Sequence, residues 1–357
     1  MNLKITLHAI INKNIRSFKI AIGGQIMPIT CLLEVVPGES FEGFCLIKEV
    51  KTEKTKKGDP YLNVTLAKKH KMIESKLWNN GFGSRSVEEI LTIFKTGSLL
   101  HISGDASEYN GKVQMTISSY RLAEEGEVDL GEFIEVAPES IESMEAEIRS
   151  YIDEINTPIL HQITSELFED HKKMFMTHAA AVKMHHSFRS GLAYHTLSLL
   201  RLGKSICDQY GEVVNRSKIY AALTLHDYGK IIEMRMSKDL SGAEDYTLFG
   251  QMLGHIQIVN QMIDRKLVTI RNERTVTSDE VTVIYELMNI ISSHHGPLSN
   301  GWGSTAEPLT LEAHLCHMID NIDAKINMIS RATSDMREGE VQKVWGLGRL
   351  YKSKNLE

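Results

Sequence analysis

This chain of 357 residues has little cysteine, no surplus of basic charge and no long apolar run, and each lack removes a class of function. Its four cysteines, Cys31, Cys45, Cys207 and Cys316, form no Cys-x-x-Cys pair. That excludes a thiol zinc site and a disulfide framework, and it fits a reducing cytoplasm. A net charge of -6 argues against a protein that coats nucleic acid through its overall field, while leaving room for a local basic face. No stretch approaches the roughly 18 apolar residues of a membrane helix. The start, Met1 to His8, alternates apolar and polar residues, unlike a signal peptide, so the sequence reads as soluble, unexported and without a membrane partner. Low-complexity segments and internal repeats are also absent. What remains, 42% hydrophobic and 24% charged, is the composition of a globular protein, and its length favours two domains.

Residues 1–40 alternate like strands and are set apart as an N-terminal extension with no functional account. From 41 to 121 the period is that of strands. Phe44–Ile47 leads through a polar turn, Lys57-Gly58-Asp59-Pro60, into Tyr61–Leu66, and a third strand, Ile73–Trp78, puts Ile73, Ser75 and Leu77 on one face. Ser86-Val87-Glu88-Glu89 is a capping box opening a helix, and Asn110-Gly111 suits a tight hairpin between the last two strands. Three strands, a helix and two strands is the order of an oligonucleotide-binding (OB) barrel.

Residues 122–140 read as an acidic linker, since Leu122 to Glu154 holds twelve acids against one base, Arg149. From 141 to 335 nearly everything has helical period, with segments at 159–169, 171–184, 191–210, 217–227, 248–265, 279–294 and 310–331. Residues 336–357 are left as a tail. The expected fold is a small N-terminal OB-like β-barrel followed by an all-α domain.

The most informative feature is the doublet His226-Asp227, which ends an apolar helix and precedes Gly229-Lys230. His195 lies early in another helix and Asp320 inside a third, so distant parts of the chain would present two imidazoles and two carboxylates to one divalent ion. His255 and the pair His294-His295 are best explained as ligands of a second ion, with Asp227 bridging the two through its two oxygens. Paired cations trap a water and clamp the attacking and leaving oxygens of a phosphodiester. An isolated histidine on a helix would be an ordinary packing residue; the ordered set carries the reading.

These residues resemble the HD superfamily of metal phosphohydrolases, whose His, His-Asp and distal Asp pattern matches His195, His226-Asp227 and Asp320. The longer series is similar to the bacterial YhaM-type 3′–5′ exoribonucleases, over about residues 40–330. It comprises an OB-like segment with Lys76-Leu77-Trp78, then His185-His186, Gly191–Thr196, Leu225–Lys230, Leu253-Gly254-His255 and Ser293–Gly296. The resemblance implies metal ligation by His195, His226, Asp227 and Asp320, with His255, His294 and His295 completing a second site. It also implies an HD-type fold for 141–335, manganese as the ion, and removal of nucleotides from an RNA 3′ end. Ligand chemistry alone admits iron, cobalt or zinc equally. Lys230 is placed to offset transition-state charge, against the alternative of a lysine favoured by the helix end. His186, rather than His185, is expected to meet the substrate or protonate the leaving oxygen.

Nine lysines against four acids between Lys48 and Lys76, with Lys57 and Lys69 in its two turns, mark a basic face for single-stranded RNA, with single-stranded DNA as a second substrate. Trp78 is the expected stacking platform and Tyr61 a further contact. A small barrel must also fill its interior, which gives Phe44, Tyr61 and Tyr109 a competing role as core. Two rivals stand beside a metal-dependent exoribonuclease: an HD-type phosphodiesterase or phosphatase acting on a small nucleotide with the barrel as regulatory module, and a nucleic-acid-binding protein with a spent catalytic domain. Homo-oligomerisation is left open.

Overall fold

The computed structural model describes residues 5–12, 15–22, 25–26, 28–182, 186–239, 241–334, 336–344 and 346–354. Two compact units divide the chain, one of Met1–Glu135 with Lys238–Leu240 and one of Val136–Ser237 with Ser241–Glu357.

In the first unit a small antiparallel sheet, β1 (Ile5–Asn12), β2 (Ile15–Ile22) and β3 (Gln25–Ile26), precedes the barrel. The barrel strands are β4 (Ser40–Lys54), β5 (Pro60–Lys68), β6 (Lys71–Leu77), β7 (Leu99–Tyr109) and β8 (Lys112–Leu122), closed in the order β4-β5-β6-β8-β7. Closure comes from β6 running parallel to β8, with Ser75 opposite Met115, so no edge is left to pair elsewhere. The alternation Leu62, Val64, Leu66 on β5 and Ile73, Ser75, Leu77 on β6 points inward, as its period requires. Helix α1 (Val87–Ile93) starts at the capping box, where Ser86 Oγ accepts from Glu89 N at 3.2 Å and Glu89 accepts from Ser86 N at 2.7 Å. Asn110 and Gly111 both take positive φ, 51° and 75°, at the β7–β8 turn.

The acidic segment does more than solvate. Phe133 and Ile134 are buried, the Lys68 ammonium sits 4.8 Å from the Phe133 ring centroid, and Lys68 pairs with Glu132 at 2.9 Å.

The second unit is a helical bundle of α2 (Ile141–Asp153), α3 (Pro158–Thr177), α4 (Gly191–Tyr210), α5 (Arg216–Leu225), α6 (Lys230–Glu233), α7 (Leu248–Glu273), α8 (Ser278–Ser292) and α9 (Leu311–Ser334). Two antiparallel ribbons are added, β9 (Met234–Met236) with β10 (Ala243–Tyr246), and β11 (Val341–Val344) with β12 (Gly348–Tyr351). Where the sequence pattern predicts helices at 159–169 and 171–184, α3 is one element bent at His171 (φ -130°) and stopped at Thr177. Residues 183–185, His185 among them, lie outside the described residues. No helix among the described residues is long and apolar enough to cross a membrane.

Helix α5 decides where the chemistry sits. Ser217 and every residue from Ile219 to Leu225 are buried, so this helix runs through the middle of the bundle. Whatever follows its C-terminus is delivered to the interior, and His226-Asp227 follows it.

Candidate metal centre and nucleic-acid face

Five helices contribute polar side chains to one buried point. His195 comes from the first turns of α4, His226 and Asp227 from the end of α5, His255 from α7, His294 and His295 from just beyond α8, and Asp320 from the middle of α9. Two glycines make this approach feasible. Gly254 has φ +69° and bends α7 immediately before His255. A Cβ on Gly229 would fall 2.1 Å from the His255 carbonyl oxygen, so the chain after the doublet passes His255 only because that position has no side chain.

Asp227 stands at the centre. Its Oδ2 lies 3.4 Å from His226 Nε2, 3.7 Å from His195 Nε2 and 2.6 Å from the Lys230 ammonium. Its Oδ1 faces the other way, 3.4 Å from His255 Nε2 and 3.8 Å from His294 Nε2. Asp320 Oδ1 is 3.2 Å from His195 Nε2. Three groups of ligand atoms have metal-ligand spacing, within 4.8 Å of one another inside each group: His195, His226 and Asp227; His255, His294 and His295; and, sharing His195, His186 with Asp323.

The far nitrogens are tied down. His226 donates from Nδ1 to the Leu223 carbonyl at 2.9 Å, and His294 does the same to Ile291 at 2.7 Å. His195 Nδ1 reaches Asp323 Oδ2 at 2.8 Å, and His255 Nδ1 reaches Glu233 Oε1 at 3.2 Å. For His226, His255 and His294 the bond fixes the ring and its tautomer, leaving Nε2 with a lone pair aimed inward, whereas His195 Nε2 faces Asp320 Oδ1 at 3.2 Å and holds a proton that a metal would have to displace. Asp227 Oδ1, His255 Nε2, His294 Nε2 and His295 Nδ1 are buried with no hydrogen-bond partner among the described residues. Four such atoms facing one another would be costly in a finished core. A cation shared among them removes the cost, so the donor set fits a divalent metal.

Electrostatics hold the carboxylates ionised and divide the imidazoles. Burial would raise the Asp227 pKa, but the Lys230 ammonium and His226 hold it well below the usual carboxylate range. Asp320 and Asp323 are likewise held down against burial, chiefly by hydrogen bonds to His195 for the first and to His186 and His195 for the second. Burial pushes His195 down, yet Asp320 and Asp323 outweigh it and carry it up to about 10. Burial and neighbouring imidazoles push His294 far down and His295 to about 4. Those two rings are therefore neutral, the form that ligates metal.

Two residues at this centre carried no role in the sequence reading. Asp323 follows Asp320 by three residues, one turn along α9, and that i, i+3 spacing was the available signal. Glu233 ends α6 and accepts from both the backbone and the ring of His255. His186, expected to face the substrate, is buried at a loop position with φ +52°, and its Nε2 lies 2.9 Å from Asp323 Oδ2. It does not line the cavity beside the centre, which Asp227, Lys230, His295 and Asp320 do. Its geometry is that of a brace for Asp323. Replacing Asp323 with Asn, which keeps the shape but loses the charged acceptor, should lower metal affinity or turnover by about 10- to 100-fold. Metal titration followed by calorimetry checks this.

On the barrel, the aromatics offered as core do not fill it. Phe44 and Tyr61 are only partly buried and Tyr109 is 61% exposed, while Phe41, Phe82 and Phe94 pack the interior. Tyr61 stands outward because its neighbour Leu62 stands inward. Tyr61 and Trp78 are paired at 4.9 Å between centroids, and the Lys76 ammonium lies 5.8, 5.4 and 6.0 Å from Tyr61, Trp78 and Tyr109. Lys57 and Lys69 are both exposed but occupy turns at opposite ends of β5. Nine residues of strand separate those turns by about 30 Å, so the two lysines do not share one patch. The aromatic group lies toward the Lys57 end.

Comparison with known proteins places this geometry. The HD domain family model matches residues 192–325. A 3′–5′ exoribonuclease YhaM of Shouchella clausii (strain KSM-K16) is 38% identical over 307 residues, 85% of this chain and 89% of that protein. A protein of the same name from Geobacillus sp. (strain WCH70) is 38% identical over 306 residues, 85% and 88% of the two chains. Among solved structures, the second OB-fold domain of replication protein A from Methanococcus maripaludis matches 28% of this chain and 96% of its own, at 18% identity and a TM-score of 0.20.

Proposed function

This chain belongs to the YhaM-type exoribonucleases of the HD superfamily, and from that membership we propose that it is a metal-dependent 3′–5′ exoribonuclease acting on single-stranded RNA. The observation that supports the metal dependence is the set of four buried atoms at Asp227 that have no hydrogen-bond partner among the described residues. His195, His226, Asp227 and Asp320 would hold one divalent cation, and His255, His294 and His295 with the other oxygen of Asp227 a second. Such cations, manganese first among them, supply a water of lowered pKa and neutralise charge on the scissile phosphate.

The protein's own residues do the rest. Asp323 and Glu233 orient His195 and His255, and Lys230 holds Asp227 ionised while presenting a positive charge at the cavity wall. In the reaction a water oxygen bonds to phosphorus and the bond to the 3′ oxygen of the preceding nucleotide breaks. That oxygen takes a proton and a nucleoside 5′-monophosphate leaves. His186 is assigned the bracing of Asp323 rather than this proton transfer. On the barrel, Trp78 and Tyr61 stack bases around Lys76, and Lys57 contacts the phosphate backbone. Lys69, at the other end of β5, would contact a different stretch of the strand.

The test is a time course on RNA labelled at its 5′ end. Progressive shortening with release of mononucleotides supports the reading. Intact RNA alongside hydrolysis of a small nucleotide replaces it with a nucleotide phosphodiesterase. A second measurement separates the two units. Trp78→Ala should weaken binding of long single-stranded RNA roughly ten-fold, by loss of one stacking platform, while leaving hydrolysis of a dinucleotide unchanged. Equal losses in filter binding and in the dinucleotide assay would contradict this division of labour.

A further inference from the structure

Beside the metal centre a cavity of about 340 Å³ opens within the helical unit. Its floor is Asp227 and Asp320, and its walls include Lys230, Trp302 and Lys325. Three features of these walls are unexplained by folding. Trp302 leaves 55% of its surface exposed, on the loop between α8 and α9, with its ring 6.0 Å from that of His317. Lys325 is half-buried and forms no ion pair among the described residues, whereas Lys230 across the cavity is paired with Asp227. Asp320, Asn321, Ala324, Lys325 and Met328 line one face of α9 at helical spacing, and the small Ala324 leaves the space between the acids and Lys325 open. An apolar ring, a cation without a partner and a reactive floor in one pocket match a planar base joined to a phosphate, and the volume is at the lower end of small-ligand sites.

We propose that this cavity seats the 3′-terminal nucleotide of the RNA, with Trp302 stacked on its base and Lys325 paired with its phosphate. The assignment rests on the exoribonuclease reading above. It gives that reading a physical basis for working from an end: the pocket takes one nucleotide, and only a chain terminus places a single nucleotide beyond the scissile phosphate. Because stacking is indifferent to which base is presented, the site accepts all four.

The experiment compares two RNAs alike except at the last residue, one ending in a normal nucleotide and one in an abasic ribose. Wild type should show a KM roughly ten-fold lower for the normal end, the usual worth of one base on an aromatic ring. Trp302→Ala should raise KM on the normal end to the abasic value, with kcat nearly unchanged, and should not affect the abasic RNA. Trp302→Phe, which keeps a ring, should retain the preference. Lys325→Gln should raise KM for both ends alike, and Lys325→Arg should restore it. If wild type degrades RNA but Trp302→Ala affects both ends equally or neither, or if Lys325→Gln leaves both KM values unchanged, this assignment is wrong and the exoribonuclease reading stands. If wild type shortens neither RNA, both fall together.

Discussion

Asp227→Asn should reduce RNA hydrolysis on the order of 10³-fold or more and leave the protein without stoichiometric divalent metal. The amide keeps the volume of the carboxylate but removes both its charge and one of its two acceptor oxygens. In the native side chain Oδ2 faces His195 and His226, and Oδ1 faces His255 and His294, so a single substitution acts on both proposed cation positions. The new amide N–H would also donate to an inward imidazole nitrogen and occupy the lone pair a metal requires. A second effect follows from Lys230, whose ammonium is largely buried and lies 2.6 Å from Asp227. Breaking a buried pair strands one charge, at a typical cost of about 3–5 kcal/mol. Asp227→Asn should therefore unfold at lower temperature than wild type when both are metal-free. Adding Lys230→Met should recover most of that stability without recovering activity. Metal content by atomic emission, thermal unfolding and the RNA time course read the three effects separately. A metal-replete Asp227→Asn protein with near-native turnover would overturn the assignment of this centre.

Five of the seven residues of the centre were legible in the sequence because they stand at a break in a helical stripe, while His195 and Asp320, inside α4 and α9, were legible only through their order around the His226-Asp227 doublet. His226-Asp227 ends α5, Gly254 bends α7 before His255, and His294-His295 follows the last turn of α8. A polar pair at the end of an apolar helix has few places to go except an internal site. The supporting carboxylates were hidden for the complementary reason. Glu233 is the last residue of the four-residue α6 and Asp323 lies one turn beyond Asp320 on α9, positions with no break in pattern to mark them, and only the bundle's packing shows that both turn inward. The facing of His186 could not be read from helical periodicity, since its backbone is in a loop with positive φ, from which Nε2 meets Asp323.

The barrel was readable in its element order, its capping box and its Asn110-Gly111 turn, all of which depend on contacts within a few residues. What failed was the choice of Phe44, Tyr61 and Tyr109 as the aromatics competing for its interior. Strand parity settles the matter: with Leu62 and Leu77 inward, Tyr61 and Trp78 stand outward, and Phe82 and Phe94, from outside the strands, fill the interior instead. Lys57 and Lys69 looked like one basic face because they are twelve positions apart in sequence. An extended strand converts that short separation into the length of the barrel.

Removing divalent metal should abolish turnover and lower the unfolding temperature of the helical unit, and the size of the shift is calculable. A ligand that binds only the native state at about 100 times its Kd adds roughly 2.7 kcal/mol. For a domain of about 200 residues each kcal/mol moves the midpoint by about 2–4 °C, so a chelator should cost about 5–10 °C relative to saturating manganese. The direction is fixed by the native state itself: the inward atoms of Asp227, His255, His294 and His295 have no hydrogen-bond partner among the described residues, so the metal-free bundle keeps them buried at a cost that a bound cation removes. The barrel's own transition should not respond, since the whole donor set belongs to the helical unit. Scanning calorimetry with chelator, and then with manganese, iron, cobalt or zinc restored in turn, ranks the ions by shift, while the RNA time course ranks them by rate. Agreement of the two rankings at manganese would tie stability and catalysis to the same atoms. A midpoint unmoved by chelation, or one that still moves in Asp227→Asn, would mean that the orphaned atoms are satisfied in some other way and that the catalytic cation, if there is one, binds elsewhere.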